Sequence, residues 1–302
     1  MEPGRGGGLS YDSSAIRSTL DYLSDRSSEN LNRLVSTPGN RLAYQHYLWS
    51  TLGSALTIEE FWKSSLEHIV YSRDVELRID TIWQYLETQE QSRWLEEILK
   101  CLPARHVFHS TIYPIIGYDN VAFNEDVALN LGFNQFHADP REASYYLIHE
   151  LAHAGYYQYH PMPDLHKIKS QSDLLWVVKF LTHLEGMGVF SCLRLRVAEG
   201  GLLDKDYKVL FDDAEKSKRI SAYFYLLSTL EEAPSRDLQS ADFGIFDQMS
   251  GPTTRLWYIA GCHMAQTIGA EYGEETLREL VKKGHEDFFK AYKAVKGSLH
   301  AF

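Results

Sequence analysis

The sequence predicts an α+β fold that is mostly helical, with one small sheet, and two observations support this prediction. Apolar residues recur at helical spacing along most of the chain. Between Val107 and Leu131 the spacing changes to the alternation that is typical of strands. At 302 residues, of which 44% are hydrophobic, the chain can bury a sizeable core in one or two domains.

The first part of the chain is predicted to carry no chemistry. Residues 1–12 begin with a Gly-rich stretch without an apolar core, which predicts a disordered N-terminus. Residues 13–103 then keep helical spacing in several short runs separated by breaks such as Pro38-Gly39, which predicts a helical N-terminal region. We expect His46 and His68 in this region to be surface or packed residues rather than ligands.

Two alternating stretches follow and predict strands of a small sheet. The first runs from Val107 to Ile115, Gly117 to Asn120 form a turn signal, and the second runs from Val121 to Leu131. One hypothesis is that Val127–Leu131 is an edge strand that hydrogen-bonds an extended peptide by strand addition. The alternative is a purely structural sheet.

A well-marked helix is predicted from Asp139 to about His160. Asp139 can cap it, Pro140 suits the first helical position, and Pro161 marks its end. One face is apolar enough to be buried, and its residues are Ala143, Leu147, Leu151 and Ala154.

This helix contains an H-E-x-x-H motif, which predicts a zinc site. His149 and His153 are four residues apart, so they lie on one helix face about 6 Å apart along the axis. Neutral imidazoles are preferred ligands of Zn²⁺. Glu150 lies beside this face, where its carboxylate can act as a general base on a water without binding the ion.

A catalytic zinc ion usually takes a third protein ligand, and Glu185 is the first candidate. It lies in a long apolar helix predicted from about Ser172 to Glu199, where a carboxylate is costly unless it is paired or binds a metal. Gly186 beside it would let another helix or an ion approach closely. The alternative is a buried Glu185 paired with an Arg or Lys.

Three histidines are weaker candidates for the third ligand. His183 is the runner-up, as a ligand or as a group that supports one. His160 and His166 lie on the Pro-rich loop that precedes the long helix.

The remainder of the chain is predicted to be helical. A helix that begins at Gly251–Thr254 and runs to about Tyr272 carries Arg255 and Tyr258 on one stripe and His263 on another face. Two amphipathic helices, predicted at Thr276–Lys283 and His285–Val295, close the chain.

The motifs resemble those of the gluzincin metallopeptidases, the thermolysin-like group. His149-Glu150-Leu151-Ala152-His153 followed by Glu185-Gly186-Met187-Gly188 is similar to the zinc ligands of that clan. The resemblance implies that residues 104–302 form a zincin-like metallopeptidase domain with a helical C-terminal part. It also implies one Zn²⁺ per chain and hydrolysis of a peptide or protein substrate.

The same resemblance implies a donor that stabilises the oxyanion. Gluzincins commonly take it from the C-terminal part of the chain, so Tyr258 is the first choice, followed by Arg255 and His263.

The chain departs from the best-known gluzincins in several places. Glu185 follows His153 by 32 residues, a longer spacing, and Val189 stands where many members have an acidic residue. The chain lacks the G-x-M-E-N stretch of the aminopeptidase branch. Tyr156 and Tyr159 replace the Gly and His that a metzincin requires. The overall resemblance is to a poorly characterised zinc-protease family of the clan.

The same residues are compatible with two alternative functions. The chain could be a non-catalytic, zinc-stabilised peptide-binding protein, or a zinc hydrolase that acts on a non-peptide amide.

Composition limits the partners and the compartment. The net charge of −11 argues against nucleic acid as the main partner. No stretch is long and apolar enough to predict a membrane span. The 3 cysteines are far apart and lack a C-x-x-C motif, so we expect reduced thiols and a cytoplasmic protein. The oligomeric state is not indicated.

Overall fold

A computed structural model describes residues 8–89, 91–203 and 205–299. Its helices and strands are β1 (Ser10–Tyr11), α1 (Ser14–Ser24), α2 (Ser28–Ser36), α3 (Pro38–Ser50), α4 (Ile58–Ser65), α5 (Arg73–Thr88), α6 (Gln91–Leu99), β2 (Thr111–Ile115), β3 (Val121–Phe123), β4 (Asp126–Asn130), α7 (Asn134–Ala138), α8 (Arg141–Tyr157), α9 (Gln171–Ala198), α10 (Lys205–Leu210), α11 (Asp213–Glu231), α12 (Gly244–Ser250), α13 (Leu256–Lys283) and α14 (His285–Leu299). The predicted fold class, α+β and mostly helical, is confirmed.

The chain groups into two compact units. Unit 1 contains the residues up to Leu95 together with Arg105–Gln158, and unit 2 contains Glu96–Ala104 together with the residues from Tyr159 onward. The predicted domain boundary between residues 103 and 104 stays a prediction. Within the stretch 1–12 that was predicted to be disordered, Ser10 and Tyr11 form strand β1, and residues 1–7 lie outside the described part of the chain.

Unit 1 is built on a mixed sheet with the strand order β1-β2-β4-β3. β1 and β2 are parallel, as are β2 and β4, whereas β3 pairs antiparallel with β4. Asn124 begins the short turn between β3 and β4 in the left-handed region, at φ 56°, which asparagine tolerates better than most residues. Helices α3 and α8 both pack against β3 and β4.

The strand order corrects one prediction. One hypothesis made Val127–Leu131 an edge strand, but β4 lies between β2 and β3. Its residues Val127, Ala128 and Leu129 are completely buried because both neighbouring strands and the packed helices cover them. In the described part of the sheet, the antiparallel edge strand is the shorter β3.

Helix α8 begins close to the predicted position. The Asp139 carboxylate accepts the backbone N–H of Arg141 at 3.0 Å and pairs with the Arg141 guanidinium at 2.6 Å, which satisfies one of the free donors of the first turn. The predicted apolar face is confirmed, because Ala143, Leu147 and Leu151 are completely buried. Burial of this face fixes the rotation of α8 about its axis and therefore the direction of its remaining side chains.

Unit 2 is organised around α9 and α13, which pack against each other. They approach closely at two glycines: a Cβ added to Gly186 would lie 2.3 Å from the carbonyl carbon of Gly261. This close packing matches the expectation that Gly186 lets another helix approach. The kink at Gly273, with φ 84°, divides α13 near the predicted helix end at Tyr272.

Candidate metal centre

Helix α8 brings His149, Glu150 and His153 together as the motif predicts. One ligand atom from each of the three residues lies within 4.8 Å of the others. The ring centroids of His149 and His153 are 4.5 Å apart, and His153 Nδ1 lies 3.5 Å from a carboxylate oxygen of Glu150. Within residues 8–89, 91–203 and 205–299, this is the group of His, Cys, Asp and Glu side chains that is compact enough to hold a metal ion.

The donor set fits Zn²⁺. His153 is 5% exposed and Glu150 is 6% exposed, whereas His149 is half-buried. Two imidazoles on one side of a helix, partly shielded from water, provide the neutral nitrogen ligands that zinc prefers, and the adjacent carboxylate provides a proton acceptor. Burial also strengthens electrostatic interactions at this position because the local dielectric is low.

Three of the other predicted site residues come together in unit 2. Glu185 is half-buried on α9, and its carboxylate interacts electrostatically with both Tyr258 and Arg255. The Arg255 guanidinium lies 3.3 Å from the centroid of the Tyr258 ring. Tyr258 and Arg255, which the sequence placed on one helical stripe, are therefore in contact.

The ionisation of this cluster follows from its surroundings. Burial disfavours the charged Arg255, but Tyr258, Asp206 and Glu185 together raise the pKa of this guanidinium above its usual value. Burial and the Glu185 carboxylate raise the pKa of Tyr258, while Arg255 lowers it. At neutral pH the cluster therefore offers a protonated phenol and a cationic guanidinium, which are both hydrogen-bond donors.

His263 has different surroundings. Its ring lies 6.1 Å from that of Tyr292 on α14. Burial, with smaller contributions from Lys296 and Lys216, lowers the pKa of His263 to about 4, so it is neutral at pH 7. The expectation that His263 and Tyr258 occupy different faces of their helix is consistent with these contacts.

The histidines considered as alternative ligands occupy other environments. His183 is completely buried, and its ring stacks on Phe288 with 4.1 Å between centroids. His160 Nε2 lies 2.9 Å from the backbone oxygen of Val281. His166 is exposed on a short 3-10 helix.

Sequence reasoning missed one residue of the unit 2 cluster. Asp206 is 3% exposed on α10, and its carboxylate lies 3.2 Å from Arg255 Nη2. The two residues are 49 positions apart, and no periodic pattern or motif connects them. The only signal in the sequence was an aspartate close to apolar positions in a short helix, which by itself is common.

The histidine pair of α8 and its neighbouring carboxylate form a candidate zinc site, and comparison with known families agrees with zinc dependence. The family model described as "Putative zinc dependent peptidase (DUF5700)" matches residues 31–297. Because this match covers most of the chain, the chain belongs to that family. Searches of curated proteins and of solved structures gave no match.

Two further properties bear on the sequence expectations. Cys101, Cys192 and Cys262 are free and buried. Across the described residues, none of the helices has the combination of length and hydropathy that a transmembrane segment requires.

Proposed function

We propose that this protein is a zinc-dependent metallopeptidase of the gluzincin type. The observation that supports this most strongly is the convergence of His149, Glu150 and His153 on α8, with ligand atoms within 4.8 Å of one another. His149 and His153 would hold one Zn²⁺ per chain, and Glu185 would supply the third ligand. A bound zinc ion acts as a Lewis acid and lowers the pKa of a water in its open position to about 7.

The residues of the chain supply the remaining chemistry. Glu150 accepts the proton of the attacking water and then donates it to the amine nitrogen of the leaving group. Negative charge develops on the oxygen of the substrate carbonyl as the water attacks. Tyr258 and Arg255 are both protonated donors, and either can stabilise this oxyanion by a hydrogen bond. The substrate is a peptide or a protein segment.

The first experiment tests whether Glu185 is the third zinc ligand. Zinc would be measured by elemental analysis in the wild type, in Glu185→Ala and in the control Glu275→Ala, which alters an exposed residue of α13. Cleavage of a peptide library would be measured on the same samples. We expect about one zinc per chain in the wild type and the control, together with cleavage, and loss of both in Glu185→Ala.

The other results have distinct meanings. If Glu185→Ala retains zinc, Glu185 is not the third ligand, and His183 or His166 becomes the candidate. Zinc present without any cleavage by the wild type would contradict the peptidase proposal and favour a zinc-stabilised peptide-binding protein or a hydrolase of another amide.

A further inference from the structure

Asp206 forms an ion pair that is shielded from solvent. Its carboxylate oxygen lies 3.2 Å from Arg255 Nη2, and the two side chains are 5% and 22% exposed. A buried carboxylate is destabilising unless it is paired and hydrogen-bonded, and Arg255 supplies that pairing. The pair therefore constrains the position of the guanidinium more strongly than a surface ion pair would.

The Arg255 guanidinium, which Asp206 binds, has a defined orientation. Arg255 precedes the first residue of α13 and has a left-handed backbone, with φ 50° and ψ 36°. Its guanidinium lies over the Tyr258 ring at 3.3 Å from the centroid. Among the residues that the structure describes, the buried Arg255 Nε has no hydrogen-bond acceptor. Asp206 thus holds one edge of the guanidinium while another N–H donor is left without an acceptor.

The helix that carries Asp206 is itself fixed by the adjacent residue. The Tyr207 hydroxyl lies 3.0 Å from Cys192 Sγ on α9. The Arg196 guanidinium, which is 1% exposed, lies 4.3 Å from the centroid of the Tyr207 ring. These contacts anchor the short helix α10 against α9, so the Asp206 carboxylate is presented from a rigid element rather than from a mobile loop.

We infer that Asp206 is a positioning residue for peptide hydrolysis: its carboxylate holds the Arg255 guanidinium against Tyr258, so that an Arg255 N–H can donate to the developing oxyanion. This inference rests on the proposed function. In this inference Asp206 acts through Arg255 and not through contact with the substrate or the metal. A small displacement of a donor weakens transition-state stabilisation with little effect on the binding of the ground state.

The test is a double-mutant cycle that measures kcat and KM for wild type, Asp206→Asn, Arg255→Ala and the double variant. Asp206→Asn keeps a similar shape but removes the charge, and kcat should fall roughly tenfold or more with KM nearly unchanged. Arg255→Ala should reduce kcat by about 10²–10³. In the Arg255→Ala background, Asp206→Asn should have almost no further effect, because the residue through which it acts is missing.

A second measurement is independent of turnover. Calorimetric titration with a phosphinic analogue of the best peptide substrate measures affinity for a tetrahedral anion that imitates the oxyanion. We expect about tenfold weaker binding of this analogue in Asp206→Asn, with the zinc content unchanged. Asp242→Asn is the matched control, since Asp242 pairs with Arg236 at 2.7 Å elsewhere in unit 2, and it should change neither kcat nor affinity.

The outcomes separate this inference from the proposal on which it rests. Additive effects of the two substitutions, or a rise in KM alone, would overturn the positioning role while leaving the peptidase assignment intact. An inactive wild type overturns both. If Asp206→Asn does not fold, Asp206→Glu replaces it in the same cycle, because it keeps the charge but displaces it by one methylene. Asp206→Glu should likewise lower kcat when Arg255 is present and have almost no effect on kcat in the Arg255→Ala background.

Discussion

At the scale of single residues, the proposed reaction depends most on Glu150. It is buried beside His153 on the same helix, so its carboxylate is fixed by the backbone of α8 rather than by a flexible segment. A general base must lie within reach of the proton that it removes, and a helix position next to the two histidines meets this requirement.

Replacing this base should separate metal binding from turnover. In Glu150→Gln we expect kcat to fall about 10²–10⁴-fold, because the amide cannot accept the proton, while the zinc content stays near that of the wild type. Steady-state kinetics and elemental analysis on one preparation provide both values. Full activity in Glu150→Gln would rule out Glu150 as the base.

His285 should make stability depend on pH in a predictable direction. It is 6% exposed, and its burial is the main cause that lowers its pKa from 6.5 to about 4. His160 and Lys179 also lower this pKa, whereas the Glu286 carboxylate raises it. Between these values the unfolded chain binds a proton that the folded chain does not. The contribution of neutral His285 to stability is therefore fully present above pH 6.5 and is lost as the pH falls towards 4.

A substitution tests this dependence. His285→Phe removes the titrating group and suits the aromatic contacts with Trp176 and Phe180, so its unfolding midpoint should fall less than that of the wild type between pH 7 and pH 5. Urea unfolding at the two pH values measures this difference. The exposed His68→Phe is the control and should keep the wild-type dependence. Equal losses for all three proteins would contradict the role of His285.

At the scale of elements, the glycine crossing of α9 and α13 determines how closely the two long helices of unit 2 approach. Gly261 lies against Thr182 and Gly186 so closely that a Cβ there would be 2.2 Å from the Thr182 backbone oxygen. Backbone atoms cannot move aside as a flexible side chain can. The crossing also lies next to Glu185, so the helix separation sets the position of that carboxylate.

Adding one methyl group should therefore have opposite effects at two positions. Gly186→Ala should destabilise the protein by about 1–3 kcal/mol or more, because its Cβ would overlap the Gly261 backbone. Gly269→Ala, on α13, has its nearest neighbour 3.8 Å away and should stabilise by about 0.5–1 kcal/mol through helix propensity. Chemical denaturation measures both, and equal stability of the two variants would refute close packing as the cause.

The sequence predicted local features better than long-range ones. The start of α8, its buried face and the convergence of the three motif side chains depend on residues within a few turns of one another, and these features agree with the structure. Zinc binding by the motif stays a prediction. The place of β4 within the sheet depends on pairing with β2, which no local pattern encodes, so the edge-strand prediction was wrong. Asp206 was missed for the same reason, since its partner is 49 residues away.

At the scale of the whole molecule, each of the two units has its own buried apolar residues. Unit 1 buries residues such as Ile112, Val127 and Leu147, and unit 2 buries residues such as Val189 and Ile259. We therefore expect that the fold does not depend on a metal for its basic stability, in contrast to small zinc-dependent domains.

Metal removal should therefore abolish activity without unfolding the chain. After dialysis against a chelator, we expect cleavage to stop, the helical circular dichroism signal at 25 °C to persist, and the thermal midpoint to fall because zinc no longer stabilises the folded state. Added Zn²⁺ should restore cleavage and the midpoint. Loss of the helical signal on chelation would instead support the zinc-stabilised binding protein.

The burial of all three cysteines has a practical consequence. Cys101, Cys192 and Cys262 all lie within unit 2 and are free but buried. Burial is the largest of the causes that raise the pKa of the Cys101 thiol to about 12. Thiols of this kind react slowly with maleimides, because the thiolate is the reactive form. New cysteines at the exposed positions Glu67 and Glu232 would then be the fast-reacting sites for a pair of fluorophores. The fluorescence signal would then come from the two introduced positions and not from the shielded native thiols.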